Sequence, residues 1–300
     1  MVAPLRGALR LHCYRMLGSA SDSDDLVQET LLRAWKARAS LADRAKAKPW
    51  LYRIATNACL DELAQRPRRV LASDLRPAAD PGAPVIEAAE EALWLEPMPD
   101  AWLGGIERDP AARYELRESV ALAFVAALQV LTPAQCAALL LRDVAGMSAD
   151  ETAETLGQSV SATTSALHRA RTMIDERVAR RDPASFAIED RAVLERYVRA
   201  VAECDLDAMI ALMHEEMHTT MPPSPTWIAG RADNATFYRA MFARWTIGRV
   251  ALTPIGANGE HGFVFMRDGA VRAIEVVEVR DGALYRVHHF MQPATIALFT

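Results

Sequence analysis

Ser161, Thr164, Ser165, His168 and Arg169 recur at helical spacing, and Arg171 follows close behind. At about 100° per residue the first five share one helix face and Arg171 falls at its edge. Short hydroxyls near the start of a helix, followed by bases, suit the DNA major groove. The hydroxyls approach base edges and phosphates, and the arginines pair with guanine or phosphate. Val160, Thr163, Ala166, Leu167, Ala170, Met173 and Ile174 fall on the other face, spaced for burial. An ordinary helical hairpin with a solvated polar face would have the same pattern. The face is also lightly basic for a module that binds DNA alone.

A second constellation begins at Trp50. Arg53, Thr56, Asn57 and Asp61 cluster on one side of a helical stretch, opposite Trp50, Leu51, Ile54, Ala55 and Ala58. Asparagine can read a base edge and Arg53 can hold a phosphate. The preceding Lys36, Arg38, Arg44, Lys46 and Lys48 form a basic track suited to a single strand, without an aromatic platform of its own. Trp35 reads as core. In the last third, His218, Glu275, His288 and His289 are candidate acid–base groups, which would need an apolar cavity around them. Strand alternation sends His288 and His289 to opposite faces. A lone strand histidine is usually structural, so no catalytic residue and no enzymatic activity are expected.

These groups must be held by more than one core, because 300 residues exceed one ordinary domain. About half the chain is hydrophobic and a quarter charged, which excludes a disordered protein. No apolar run reaches the roughly 18 residues of a membrane span, and the N-terminus lacks a signal-peptide layout. Cys13, Cys59, Cys136 and Cys204 are scattered without a CxxC pair, so they read as reduced core thiols, with no metal and no cofactor expected. The net charge of −5 opposes nucleic-acid binding, but its distribution favours it. Residues 1–69 carry 13 Lys/Arg against 7 Asp/Glu, and residues 70–118 carry 4 against 11. One polyanion-binding part in an otherwise acidic protein fits this asymmetry.

Residues 1–69 read as three helices. Residues 70–112 form an acidic linker punctuated by prolines, in which Trp94, Leu95, Met98, Trp102 and Leu103 are apolar enough to dock. Residues 113–181 are helical again. A long helix is expected over Leu116–Leu131, another from Thr132-Pro133, and a helix-turn-helix over about 148–175. There Ser148 and Glu151 form a capping box and Gly157 a left-handed stop. Residues 188–300 read as α+β. Helices are expected near 188–203, 205–213 and 233–243, then an antiparallel sheet near 249–256, 261–267, 270–280 and 283–291. Asp268-Gly269 and Asp281-Gly282 are its hairpin turns.

Ala137–Val144, Ser148–Leu156, Ser159-Val160 and Ser165–Arg171 resemble region 4 of bacterial extracytoplasmic-function sigma factors of the sigma-70 class. Tyr14–Ser19, Asp24–Thr30, Arg33-Ala34-Trp35 and Trp50–Asn57 resemble region 2 of the same family. Residues 188–300 resemble, more loosely, the SnoaL-like α+β domains that some such factors carry. Thr163-Thr164 and Ala134-Gln135-Cys136 depart from the family pattern, so base preference does not carry over.

The resemblance implies a multidomain chain: an all-α region 2 bundle, an all-α region 4 helix-turn-helix and a C-terminal cone-shaped α+β domain. It implies cytoplasmic transcription initiation with core RNA polymerase and promoter DNA as partners. Ser161, Thr164, Ser165, His168, Arg169 and Arg171 would meet the −35 element, and Lys46, Lys48, Arg53, Thr56 and Asn57 the −10 element. Asp25, Gln28, Glu29 and Arg33 would dock on the clamp helices of the polymerase largest subunit, with the flap as a further contact. The linker would enter the polymerase template channel or act as a spacer. The C-terminal domain would regulate in cis, with room for a small ligand. The alternative is a small-molecule-binding or cyclase/isomerase-like enzyme domain with an accessory DNA-binding region.

Overall fold

The computed structural model describes residues 3–41, 43–86, 93–104, 115–177, 188–245 and 249–300. The chain forms two compact units: Met1–Arg69 with Trp102–Arg180, and Val70–Ala101 with Arg181–Thr300. The first part of the expected linker therefore belongs to the C-terminal unit.

The first unit is helical. α1 (Ala3–Leu17), α2 (Ala20–Lys36) and α3 (Ala47–Gln65) pack together. Gly18 takes a φ of 66°, and Ser19 caps α2 by accepting from the Asp22 amide at 3.1 Å. α5 (Leu122–Leu128), α6 (Pro133–Leu139), α7 (Ala149–Leu156) and α8 (Val160–Arg177) close over the bundle (α4 is described below). One core runs through both halves, joining Leu9, Val27, Leu51 and Cys59 to Leu140, Ala166 and Ala170. Burial pushes the Cys136 thiol up to about 12, as befits an inert core residue.

The long helix expected over Leu116–Leu131 is interrupted. Ala121 is extended, and α5 starts only at Leu122. The break presents Ser119 to the buried Arg15, whose Nε donates to the Ser119 carbonyl at 2.9 Å and whose Nη2 donates to its hydroxyl at 2.5 Å. A fully buried guanidinium must be hydrogen-bonded, and a continuous helix would have used that carbonyl itself.

In the second unit α9 (Ile188–Ala202), α10 (Leu206–Ala211) and α11 (Arg231–Trp245) pack on a six-stranded sheet of order β2-β1-β6-β5-β4-β3. Its strands are β1 (Met213–Thr220), β2 (Trp227–Ala229), β3 (Val250–Ala257), β4 (Glu260–Arg267), β5 (Ala270–Arg280) and β6 (Ala283–Phe290), with the short α12 (Pro293–Ala297) last. The four expected strands are present, but the sheet is mixed, because β1 pairs with β6 in parallel. Asp268-Gly269 and Asp281-Gly282 have positive φ at both positions, as a type I′ turn requires, and so does Asn258-Gly259.

The linker lies along this unit. The Ala79 amide donates to the Trp227 carbonyl at 2.9 Å, and Trp227 Nε1 donates to the Arg76 carbonyl at 2.8 Å, just after α4 (Ala72–Leu75). Trp94, Leu95 and Met98 are buried, and Pro99 bridges to Ala257. The apolar linker residues thus dock on the C-terminal domain. Trp102 instead belongs to the first unit, where the Arg10 guanidinium stacks 4.0 Å from its ring centre.

Candidate nucleic-acid interface

The helix-turn-helix is built by local rules. Ser148 accepts from the Glu151 amide at 3.1 Å, and Glu151 Oε2 accepts from the Ser148 amide at 2.8 Å. Such reciprocal caps contribute about 0.5–2 kcal/mol. Gly157 ends α7 at a φ of 62°, and Ser159 caps the next helix through the Ala162 amide. On α8, Thr163, Ala166, Leu167 and Ala170 are buried. Ser161, Thr164, Ser165, His168, Arg169 and Arg171 are all exposed. Two of them are engaged locally. The Thr164 hydroxyl donates to the Val160 carbonyl, and Arg171 forks onto Asp143 at 2.9 and 2.6 Å.

The face on α3 is partly reassigned. Asn57, Lys46 and Lys48 are exposed. Thr56 is fully buried, and its hydroxyl lies 2.9 Å from Nε2 of the equally buried His12. It is therefore a core residue and leaves the candidate DNA face, because its side chain points between α1 and α3. Burial holds the His12 imidazole down at about 3, so the ring is neutral. Arg53 pairs with Glu154 of α7 at 2.8 Å, and Lys48 Nζ donates to the Ala145 carbonyl at 2.7 Å. Two cations selected for a nucleic-acid strand thus face the helix-turn-helix. Beside Arg53 a cleft of about 300 Å³ is lined by Leu41, Lys46, Trp50, Arg53, Glu151 and Glu154.

On α2, Asp25, Gln28 and Arg33 are exposed and Glu29 half-buried. Arg33 Nε donates to Glu29 at 2.8 Å. Trp35 is not core: it is 66% exposed, with the Arg38 guanidinium 4.4 Å from its ring centre, and Leu32 is 47% exposed. Large apolar groups left on a polar helix face are a feature of partner surfaces.

In the C-terminal unit only two of the four acid–base candidates, Glu275 and His289, pair with one another. His218 is flanked by Trp227 and Tyr285. His288 is buried against the Thr220 hydroxyl at 2.8 Å and held neutral, its pKa pushed down to about 3 by burial. Glu275 and His289 meet across β5 and β6 at 3.0 Å. A carboxylate can only accept, so Nδ1 donates to Glu275, and Nε2 lies 3.2 Å from the Tyr238 hydroxyl. Tyr197 donates to the other Glu275 oxygen at 2.7 Å. Burial first, and then the neighbouring carboxylate, raises the Tyr197 phenol well above its usual range.

Residues 1–69 match Sigma-70 region 2, residues 121–174 match Sigma-70 region 4, and residues 194–287 match the SnoaL-like domain. The chain is 40% identical to the ECF RNA polymerase sigma factor SigG of Mycobacterium tuberculosis, over 99% of this chain and 80% of that one. The chain belongs to the ECF sigma factors. It is also 24% identical to the probable ECF sigma factor SigI of the same organism, over 98% of this chain and 95% of that one. The crystal structure of Mycobacterium tuberculosis SigJ shares the fold, with a TM-score of 0.63 at 24% identity over 98% of this chain and 96% of that chain.

The sigma factor thus carries its two promoter-recognition regions in the first unit and its SnoaL-like domain in the second. Tyr197 and Tyr238 had no signal in the sequence. Each occupies a position in an apolar helical stripe, where tyrosine reads as core. Their hydroxyl partners come from strands far along the chain.

Proposed function

We propose that this sigma factor docks on core RNA polymerase in the cytoplasm through the outer face of α2, with Asp25, Gln28, Glu29 and Arg33 meeting the clamp helices of the largest subunit and region 4 meeting the flap. In this reading α8 engages the −35 element with Ser161, Thr164, Ser165, His168, Arg169 and Arg171. Lys46, Lys48, Arg53 and Asn57 engage the −10 element. The C-terminal domain regulates both in cis and takes a small ligand, without enzymatic turnover.

The observation that carries the reading is the shared solvent face of the six α8 side chains on a doubly capped helix-turn-helix. A size comparison adds a conformational step. The −35 and −10 positions lie about 25 base pairs apart, about 85 Å along B-DNA at 3.4 Å each. A unit of about 150 residues has a radius of gyration near 15 Å, hence a width of about 40 Å. Regions 2 and 4 packed on one core, with Arg53 on Glu154, cannot span that distance. The closed unit must open for both elements to be engaged at once.

Reconstituted transcription with core polymerase tests this. Asn57→Ala should cost about 1–3 kcal/mol in −10 use, if its amide reads a base, while polymerase binding persists. Loss of polymerase binding instead would mean that the two faces are interchanged.

A further inference from the structure

A cavity of about 540 Å³ opens in the C-terminal domain. Met221, Met241, Phe265, Ala273 and Met291 form its apolar walls, and His289 contributes a polar group. Arg267, Asp268 and Arg272 also line it, and all three retain exposure, so they stand at its mouth. The volume is in the range that takes small organic ligands. Methionines are flexible and polarizable, and suit a ligand of irregular apolar shape.

The polar group in the wall is unusual in cost. Glu275 is 1% and His289 6% exposed, and Tyr197 and Tyr238 are no more open. A core needs no such chain, because apolar side chains of equal volume would fill the space without desolvating a carboxylate. Buried ionisable networks beside a cleft mark functional sites. Both ring nitrogens of His289 are engaged, Nδ1 by Glu275 and Nε2 by Tyr238. The network therefore fixes the His289 ring in the cavity wall and leaves neither of its nitrogens free to serve a ligand as a base. At the mouth, two guanidiniums face one carboxylate. The Arg267–Asp268 pair at 3.7 Å leaves the charge of Arg272 as the excess.

We propose that this cavity binds an apolar small molecule carrying a single carboxylate, with its apolar body among the methionines and its carboxylate at the arginine-flanked mouth. The proposal names the ligand class for the regulatory reading above and rests on that reading for its biological role.

The test uses the full chain, with decanoate as the probe and 1-decanol as its neutral counterpart, followed by calorimetry and thermal unfolding. Decanoate should bind saturably and raise the unfolding temperature. Ala273→Phe and, independently, Met241→Trp should fill the cavity and abolish binding, with circular dichroism reporting that each variant is folded. Arg272→Glu should weaken decanoate at least about tenfold and leave 1-decanol unchanged. Three results would overturn the proposal: no saturable binding, undiminished binding in a folded cavity-filling variant, or equal affinity for decanoate and 1-decanol. Promoter-dependent transcription with and without decanoate separates the two readings. Binding without a change in transcript supports the site and removes its regulatory role. A regulatory effect of the C-terminal domain without decanoate binding does the reverse.

Discussion

Met98 and Asn258 exchange two hydrogen bonds: the Met98 amide donates to Asn258 Oδ1 at 2.9 Å, and the Asn258 amide donates to the Met98 carbonyl at 3.0 Å. Asn258 has a φ of 58° and no solvent exposure, so the β3–β4 turn is the seat for the linker. One residue on, the Gly259 amide donates to Asp100 at 2.7 Å. A segment that the family resemblance would send into polymerase or leave as a spacer is here hydrogen-bonded to the SnoaL-like domain. The contact ties the linker to that domain.

Gly256 makes the seat possible. A Cβ there would lie 2.5 Å from Asp100 Oδ2 and 2.7 Å from its Cβ. Gly256→Ala should therefore eject residues 93–101 while leaving the sheet intact. Amide exchange at Leu95 and Met98 should accelerate, and promoter-dependent transcription should change several-fold. Adding Asp100→Gly to Gly256→Ala removes the clash and should recover part of the exchange protection, a coupling that two independent sites would not show. Unchanged protection in Gly256→Ala would mean that the linker is held elsewhere.

What was legible in the sequence is what local rules decide. Ser148 and Glu151 cap one another within a single helical turn, Gly157 ends the same helix through its own backbone, and Asp268-Gly269 carries its own backbone preference. Asn258-Gly259 bears the same turn signal, yet its partner Met98 is 160 residues away in sequence. Thr56 looked like part of a polar face because its partner His12 is on another helix. β1 was missed because His214, Glu215 and Glu216 interrupt its alternation, and its parallel pairing with β6 is set by tertiary packing alone. Trp35 departs in the other direction: hydrophobic character suggests burial, but the ring stands exposed on α2 beside the Arg38 guanidinium.

The Arg53–Glu154 pair gives a second prediction. Its side chains are 42% and 74% exposed, so it contributes at most about 1 kcal/mol. The shared apolar core holds most of the closure. Glu154→Ala should then raise transcript yield at limiting sigma factor by no more than about fivefold, and the gain should shrink in high salt. A fall in yield would mean that Glu154 contacts polymerase or DNA directly.

His12 makes stability depend on pH. Its folded-state pKa is depressed to about 3, against about 6.5 when unfolded. The unfolded chain thus binds a proton that the folded chain refuses. The neutral ring's contribution is fully present above the unfolded value and is lost as pH falls from about 6.5 towards 3. Between pH 7 and 5.5 the loss should be about 1 kcal/mol. His12→Gln keeps a hydrogen-bonding group for Thr56 and removes the titration. Urea unfolding of the helical unit at the two pH values should show a smaller drop for the variant. Equal drops would assign the pH dependence to other groups.

Arg169 and Arg171 should differ on the −35 element, although they lie two residues apart on the same helix. Arg169 is exposed on the polar face of α8. Arg171 lies at the edge and already makes a two-pronged bond to Asp143, which engages both a guanidinium edge and its charge. To reach a phosphate, Arg171 would have to give up that pair. Arg169→Ala should therefore weaken −35 engagement by the holoenzyme by about 1–3 kcal/mol if it contacts a base. A smaller and sequence-independent loss would indicate a phosphate contact. Arg171→Ala should cost less in DNA binding and lose the tie between α8 and the turn that follows α6. Transcription from promoters with and without a −35 element separates these effects. Arg169→Ala should affect only the first kind, whereas Arg171→Ala should lower both modestly. Equal activity of the wild type and both variants on the −35 promoter would remove α8 from the recognition surface.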